Sequence, residues 1–354
     1  MMLPSLGTIK ALPKADLHSH IDGSVSAGEL FKIAKRHRRK ILTSSGKELE
    51  SVTAFMRYVR GDGYGSLLDN IVDRFRPITG LMQTDETIRE VAVSYVREQA
   101  EAGVTYVEGR FGPQYHIREG MSMRDVIASM AAGLEEGSER YGVKSRLIAG
   151  IGRDCPPSLG VKVAEAACRS GLAVALDLAG PEAGYPPERF KAAFKVATDG
   201  GLKATVHAGE GAGSLKQNLA NIRTAINLLR ADRLGHAVNL ARDPGLMSMV
   251  REKSIVIEMN PISNLVLQNV GNIRDLEIDR LLKENILVTI NSDDPSLWPK
   301  GDLPSVYASV CRAYGFGMKQ LDILVENSFN GAFAPPREKE EMIELYHTAR
   351  RRDG

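Results

Sequence analysis

The sequence predicts a (β/α)8 barrel of the TIM type, with a helical insertion after the first strand and further helices at the C-terminus. Three observations carry this prediction. Eight short apolar runs have strand character, helical segments fill the gaps between them, and the chain has 354 residues. That length exceeds the roughly 250 residues of a typical barrel by about a hundred.

The eight runs are KADLHSH (14–20), TYVEGRF (105–111), KSRLIAGI (144–151), LAVALDLAG (172–180), LKATVHAGE (202–210), DRLGHAV (232–238), SIVIEMNP (254–261) and ILVTINSDDP (286–295). LAVALDLA and SIVIEM are almost continuously apolar, as strands buried on both faces of a parallel sheet are. Intervening pieces such as PERFKAAFKVATDGG and LKQNLANIRTAINLLRAD carry apolar residues at helical spacing. Strands alternating with helices give βαβ units and a parallel sheet. An open doubly wound sheet also uses such units, and the count of eight favours the barrel.

About eighty residues separate the first two strands, far more than an ordinary βα connection holds. Residues 25–100 are therefore expected to form several helices at the catalytic end, where they would act as a lid. Its candidate apolar contacts are Leu67, Leu68, Ile71, Val72 and Phe75, a spacing equally suited to an ordinary core face. The tail from about 316 reads as further helix. No repeat, low-complexity tract or linker interrupts the chain, so 1–354 is expected to be a single domain.

Composition excludes several classes of function. The chain has 46 basic and 44 acidic side chains, a formal net charge of +2. A general nucleic-acid binder needs a larger basic footprint. The densest basic run, KRHRRK (35–40), reads as a solvated helix face. Cys155, Cys168 and Cys311 are sparse and form no CxxC pair, which suits a reducing, cytoplasmic setting. No run approaches the roughly 18 uninterrupted apolar residues of a membrane span.

Ionisable residues collect at the C-terminal ends of the strands, where TIM barrels carry their active sites. Strand one ends in His18 and His20, strand five in His207 and Glu210, strand six in His236, and strand eight in Asp293 and Asp294. Four of the seven histidines fall at these ends, and His37, His116 and His347 read as surface residues. His18 and His20 are two apart on a strand, so both can face the barrel mouth. With His207 and Asp293 they make a set of three nitrogens and one oxygen, suited to one zinc ion with a position open for water. The chain contains no HExxH helix, no P-loop and no HxE–PCxxC deaminase signature.

HSHIDGS (18–24), DLAGPE (177–182), HAGEG (207–211), RLGHAV (233–238), NPISN (260–264) and NSDDP (291–295) resemble the adenosine deaminase family of the amidohydrolase superfamily. The motifs appear in the family's order, one per strand end, over about residues 13–335. The resemblance implies that His18, His20, His207 and Asp293 hold zinc. It implies that Glu210 works at purine N1, that His236 stands beside the attacking water, and that Asp294 lies near N7. Gly180 would contact N3 through its backbone, and His20 would border the substrate. Asp22 would meet the sugar, at a place where relatives acting on free adenine tend to carry Glu. Related dinuclear hydrolases use a bridging lysine on strand four. LDLAG has none, which favours a single metal.

The implied reaction is hydrolytic deamination of adenosine or 2′-deoxyadenosine. Zinc lowers the pKa of water towards about 7, and an acid at N1 relieves the charge that attack at C6 creates. Free adenine and 5′-modified adenosines of the aminodeoxyfutalosine or thioadenosine type are the close alternatives. A different metallohydrolase and a catalytically inactive binding protein are the remote ones.

Overall fold

The protein is described by a computed structural model covering residues 3–60, 71–211 and 213–352. Leu67 and Leu68, two of the expected lid contacts, lie outside the described residues.

Eight strands form one parallel sheet in sequence order: β1 (Lys14–His20), β2 (Val104–Phe111), β3 (Lys144–Gly152), β4 (Ala173–Ala179), β5 (Lys203–Ala208), β6 (Arg233–His236), β7 (Val256–Met259) and β8 (Val288–Ile290). Each falls within, or within a residue or so of, its predicted run. The barrel closes just beyond β8. The His20 N–H donates to the Asp293 carbonyl at 2.9 Å, and the Asp293 N–H donates to the His18 carbonyl at 2.9 Å. These two bonds tie the ends of β8 and β1 together, so closure also fixes where Asp293 stands.

Successive strand residues face opposite sides. Leu17, Val107, Leu176, Leu178, Val206, Leu234, Ile257, Val288 and Ile290 belong to the buried apolar cluster that joins the sheet to its helices. The alternate positions bring Asp16, His18, Glu108, Arg110, Asp177, Thr205, His207, Arg233, Glu258, Thr289 and Asn291 into the barrel, and all are buried. Barrel interiors are commonly filled by branched apolar side chains. This one is charged through much of its depth, which the near-continuous apolar runs did not foretell.

Among the described residues five helices lie between β1 and β2: Ile21–Ser24, Ala27–Arg36, Val52–Arg60, Ile71–Leu81 and Asp85–Glu101. The last is an ordinary crossover helix that packs along Met123–Tyr141. Its start is fixed by a capping box of Thr84 and Thr87. The basic run 35–40 is laced by ion pairs, with Arg36 on Glu29 and Glu90, His37 on Glu90, Arg39 on Glu119 and Lys40 on Glu48. Helices Leu303–Tyr314, Met318–Gly331 and Pro336–Arg352 complete the chain. Among the described residues no helix is long and apolar enough to cross a membrane.

At the lower end of the barrel, Arg233 lies under the ring of Phe333, 3.6 Å from its centre. Its Nη2 is 2.5 Å from Glu108 Oε2 and its Nε is 2.6 Å from Glu258 Oε1. Its Nη1 donates to the Gly331 carbonyl at 3.0 Å. A charge this deep is tolerable only while its partners remain, because desolvated carboxylates stripped of a counter-charge cost several kcal/mol. Arg233→Met is therefore expected to lower the unfolding free energy by about 3–5 kcal/mol, read from urea denaturation. Wild-type stability in that variant would show that Glu108 and Glu258 do not depend on it.

Candidate metal and substrate site

The ends of β1, β5 and β8 bring the predicted donors together. His20 Nε2 lies 3.2 Å from His207 Nε2 and 3.4 Å from Asp293 Oδ1. His18 Nε2 lies 3.3 Å from the same Asp293 oxygen. β6 makes room for this cluster by carrying glycine at 235. A Cβ there would stand 2.8 Å from His18 Cε1. His236 and Asp293 adopt left-handed φ values of 64° and 62°, a conformation uncommon for non-glycine residues and found often at functional sites.

The far nitrogen of each imidazole decides what the near one can do. His18 Nδ1 is 2.7 Å from Glu258 Oε2, and His207 Nδ1 is 3.1 Å from Asp177 Oδ1. A carboxylate accepts only, so each Nδ1 carries a proton, and Nε2 is the nitrogen that each ring can present to the cluster. His18 Nε2 is buried and has no hydrogen-bond partner. His207 Nε2 faces the nitrogen of His20. Three imidazole nitrogens and one carboxylate set this close together fit a divalent cation with nitrogen and oxygen preference such as zinc. Carboxylates behind the imidazoles are the usual means of orienting such ligands.

His236 approaches the same cluster, with Nε2 3.9 Å from Asp293 Oδ2. That nitrogen is already engaged. The Asn260 amide donates to it at 3.2 Å, while Nδ1 is 3.1 Å from Asn264 Oδ1. Burial drives the His236 pKa down to about 3, so the ring is neutral. Its Nε2 is 3.6 Å from Glu210 Oε1.

Glu210 is displaced in the opposite sense. Burial, then the charges of Asp293 and Glu182, raise its pKa well above the ordinary carboxyl value. Its backbone is held in place because Glu182 Oε1 accepts from the Glu210 N–H at 2.7 Å. Asp294 is likewise raised well above its ordinary value by burial and by Asp293 and Asp22. Burial raises Asp22 to about 6. A protonated acid beside a neutral imidazole is the pairing that acid–base chemistry at neutral pH requires.

Most of the predicted site residues open onto one cavity. His20, Asp22, Gly180, His207, Glu210, His236, Asp293 and Asp294 line it, with Phe75, Phe111, Ile151 and Leu267 as apolar wall. His18 stands behind the others. Among the described residues, the expected lid contact Phe75 stands in the wall. The cavity thus gathers every site residue the sequence pointed to, except the fully buried His18.

Several residues that build the site were not read from the sequence. Arg110, Asp177, Glu258, Asn260, Asn264 and Glu182 support the groups above. A lone acid inside an apolar run, as Glu258 is in SIVIEM, is the signal that was there to find. His116 was taken for a surface residue and is fully buried. Its Nδ1 lies 2.9 Å from the Met82 carbonyl, which fastens the segment after β2 to helix Ile71–Leu81. An isolated histidine in a polar loop gives no hint of such a plug.

A family model described as Adenosine deaminase matches residues 13–349. An adenosine deaminase of Clostridium botulinum is 31% identical over 334 residues, 94% of this chain and 96% of the relative. An adenine deaminase of Sphingopyxis alaskensis is 30% identical over 332 residues, 94% of this chain and 93% of the relative. Among solved structures, an adenine deaminase of Arthrobacter aurescens aligns with a TM-score of 0.84 at 22% identity, over 95% of this chain and 98% of that one. An amidohydrolase of Burkholderia ambifaria with bound zinc aligns at 0.79 and 22% identity, over 99% of this chain and 96% of that one. Matched by family model along nearly its whole length, this chain belongs to the adenosine deaminase family.

Proposed function

We propose that this chain hydrolytically deaminates adenosine or 2′-deoxyadenosine to the inosine counterpart and ammonia, using one zinc ion held by His18, His20, His207 and Asp293. The observation that carries this reading is the opposed displacement of Glu210 and His236, 3.6 Å apart beside the donor cluster. The zinc-bound Burkholderia structure and the His-His-His-Asp donor set support the choice of metal. Three free cysteines, two of them buried, suit a reducing cytoplasm.

When bound, the metal supplies a Lewis acid that makes water a competent nucleophile near neutral pH. The residues of the chain do the rest. His236, neutral and with Nε2 3.6 Å from Glu210, orients the water that adds to C6, and takes its proton once Nε2 gives up the Asn260 amide. Glu210, held protonated by burial, gives its proton to N1, where addition at C6 would otherwise build negative charge. The C6–nitrogen bond then breaks, and ammonia leaves with a proton from the site. Asp294 holds N7 or the incoming water. The Gly180 backbone meets N3, and His20 borders the ring beside it. Phe75, Phe111 and Leu267 keep bulk water from the purine.

Glu210→Gln removes the proton donor and leaves the donor cluster intact. It is expected to keep the fold and one zinc per chain, by elemental analysis, while kcat falls by about 10²–10⁴-fold. A purified variant with near wild-type kcat would remove Glu210 from the acid role. A metal content of two per chain, or full activity with none, would overturn the single-zinc reading.

Asp22 separates nucleoside from base. Its buried carboxyl lines the cavity two residues beyond His20, where ribose hydroxyls could donate to it. A hydrogen bond to a charged group contributes roughly 1.5–3 kcal/mol, or about 10- to 150-fold in binding. Wild-type kcat/KM is expected to be higher for adenosine than for adenine. Asp22→Ala should lower it for adenosine alone, because only the sugar contact is lost. If the wild type prefers adenine, the nucleoside reading fails and adenine deamination replaces it.

A further inference from the structure

The deamination chemistry leaves two charged residues of the cavity without a task. Arg76, on helix Ile71–Leu81 next to Phe75, and Arg118, in the segment after β2, both line it. Both are exposed, so they stand at its mouth. Among the described residues neither guanidinium is paired with a carboxylate. Glu119, the acid next to Arg118, is paired with Arg39 instead. The two cations are close enough that Arg76, after burial, lowers the pKa of Arg118.

This proximity is built by buried groups. Gln83 is 2% exposed. Its Nε2 donates to the Thr79 carbonyl at 2.5 Å and to the Tyr115 carbonyl at 2.9 Å. Its Oε1 accepts from the Arg118 N–H at 2.9 Å. One side chain thus clamps the Arg118 segment onto the end of the helix that carries Arg76, and the plug of His116 on Met82 reinforces it. Arg118 Nη2 also donates to Thr79 Oγ1 at 3.2 Å. Two like charges at one cavity mouth repel, and an anion between them relieves that repulsion. A guanidinium offers the fork of donors that matches a phosphate or carboxylate.

We propose that Arg76 and Arg118 form a subsite for an anionic group on the 5′ side of the substrate, making the preferred substrate class a 5′-phosphorylated or 5′-carboxylated adenosine. The inference rests on the aminopurine reading above. With C6 at the donor cluster and the ribose at Asp22, the 5′ substituent is the part of the molecule left to reach the mouth. The apolar wall takes the purine, the deep acids take its nitrogens and the sugar, and the arginines take the remaining charge.

The test compares zinc-loaded wild type with the R76Q/R118Q variant. Calorimetry reads binding of the products inosine, inosine 5′-monophosphate and inosine 5′-carboxylate, and an ammonia assay reads turnover of the matching adenosines. One or both anionic ligands are expected to bind about 10- to 100-fold more tightly than inosine. That advantage should shrink at high salt, since the arginines are exposed. R76Q/R118Q should abolish it while leaving inosine binding and adenosine turnover unchanged. Whichever of phosphate and carboxylate binds tighter identifies the group. Anionic ligands binding no tighter than inosine, or a variant that weakens all three alike, would overturn the subsite. Arginine-dependent binding without turnover of any adenosine would keep the subsite and overturn the deaminase reading instead.

Discussion

The guanidinium of Arg110, buried in the barrel between Asp177 and Glu258, is the contact on which the rest of the site depends. Its Nη1 is 3.0 Å from Asp177 Oδ2 and its Nη2 is 2.9 Å from Glu258 Oε2, with the Leu17 carbonyl 2.7 Å from Nη2. Burial opposes ionisation of Glu258, yet Arg110 and Arg233 hold it well below the ordinary carboxyl range. Asp177 is likewise held low against its burial, by His207 and Arg110. Both acids stay ionised where isolated charges would be driven neutral. As anions they can only accept, which makes His18 and His207 donate through Nδ1 and present Nε2 to the cluster. Charge balance under the site thereby becomes direction at the site.

Barrel closure supplies the other half of the geometry. Asp293 is bonded through both its backbone groups to β1, so its carboxylate reaches His18 and His20 without depending on a flexible loop. Glu210 and His236 sit one layer higher, in the same desolvated space. There burial acts on an acid and a base in opposite directions, and keeps the acid protonated and the base neutral. One physical cause prepares both partners of a proton exchange.

Much of this was legible in the sequence because strands report themselves locally. The period-two spacing of His18 and His20 and the polar clusters ending each apolar run pointed to the donors, Glu210 and His236, whereas Phe75 alone of the apolar wall had been singled out. What escaped notice depends on partners across the barrel. Arg110, Arg233, Glu108 and Glu258 look like isolated charges in β-rich runs, and nothing local says that they meet. His116 and Gln83 were equally opaque, since a loop residue becomes a buried clamp only through the helix it happens to face. The crossover helix Asp85–Glu101 was absorbed into the insertion, because helical periodicity does not tell a barrel helix from one that lies over its mouth.

The measurement that bears most directly on this account is the zinc affinity of Glu258→Gln, by competition with a chromogenic chelator. The amide preserves shape but removes the charge that fixes His18 and balances Arg110. Loss of such an orienting carboxylate costs about 10- to 100-fold in metal affinity, and that is the fall expected, with the circular-dichroism spectrum of the wild type retained. Unchanged affinity in the folded variant would contradict the view that buried charge sets the direction of the metal-facing nitrogens.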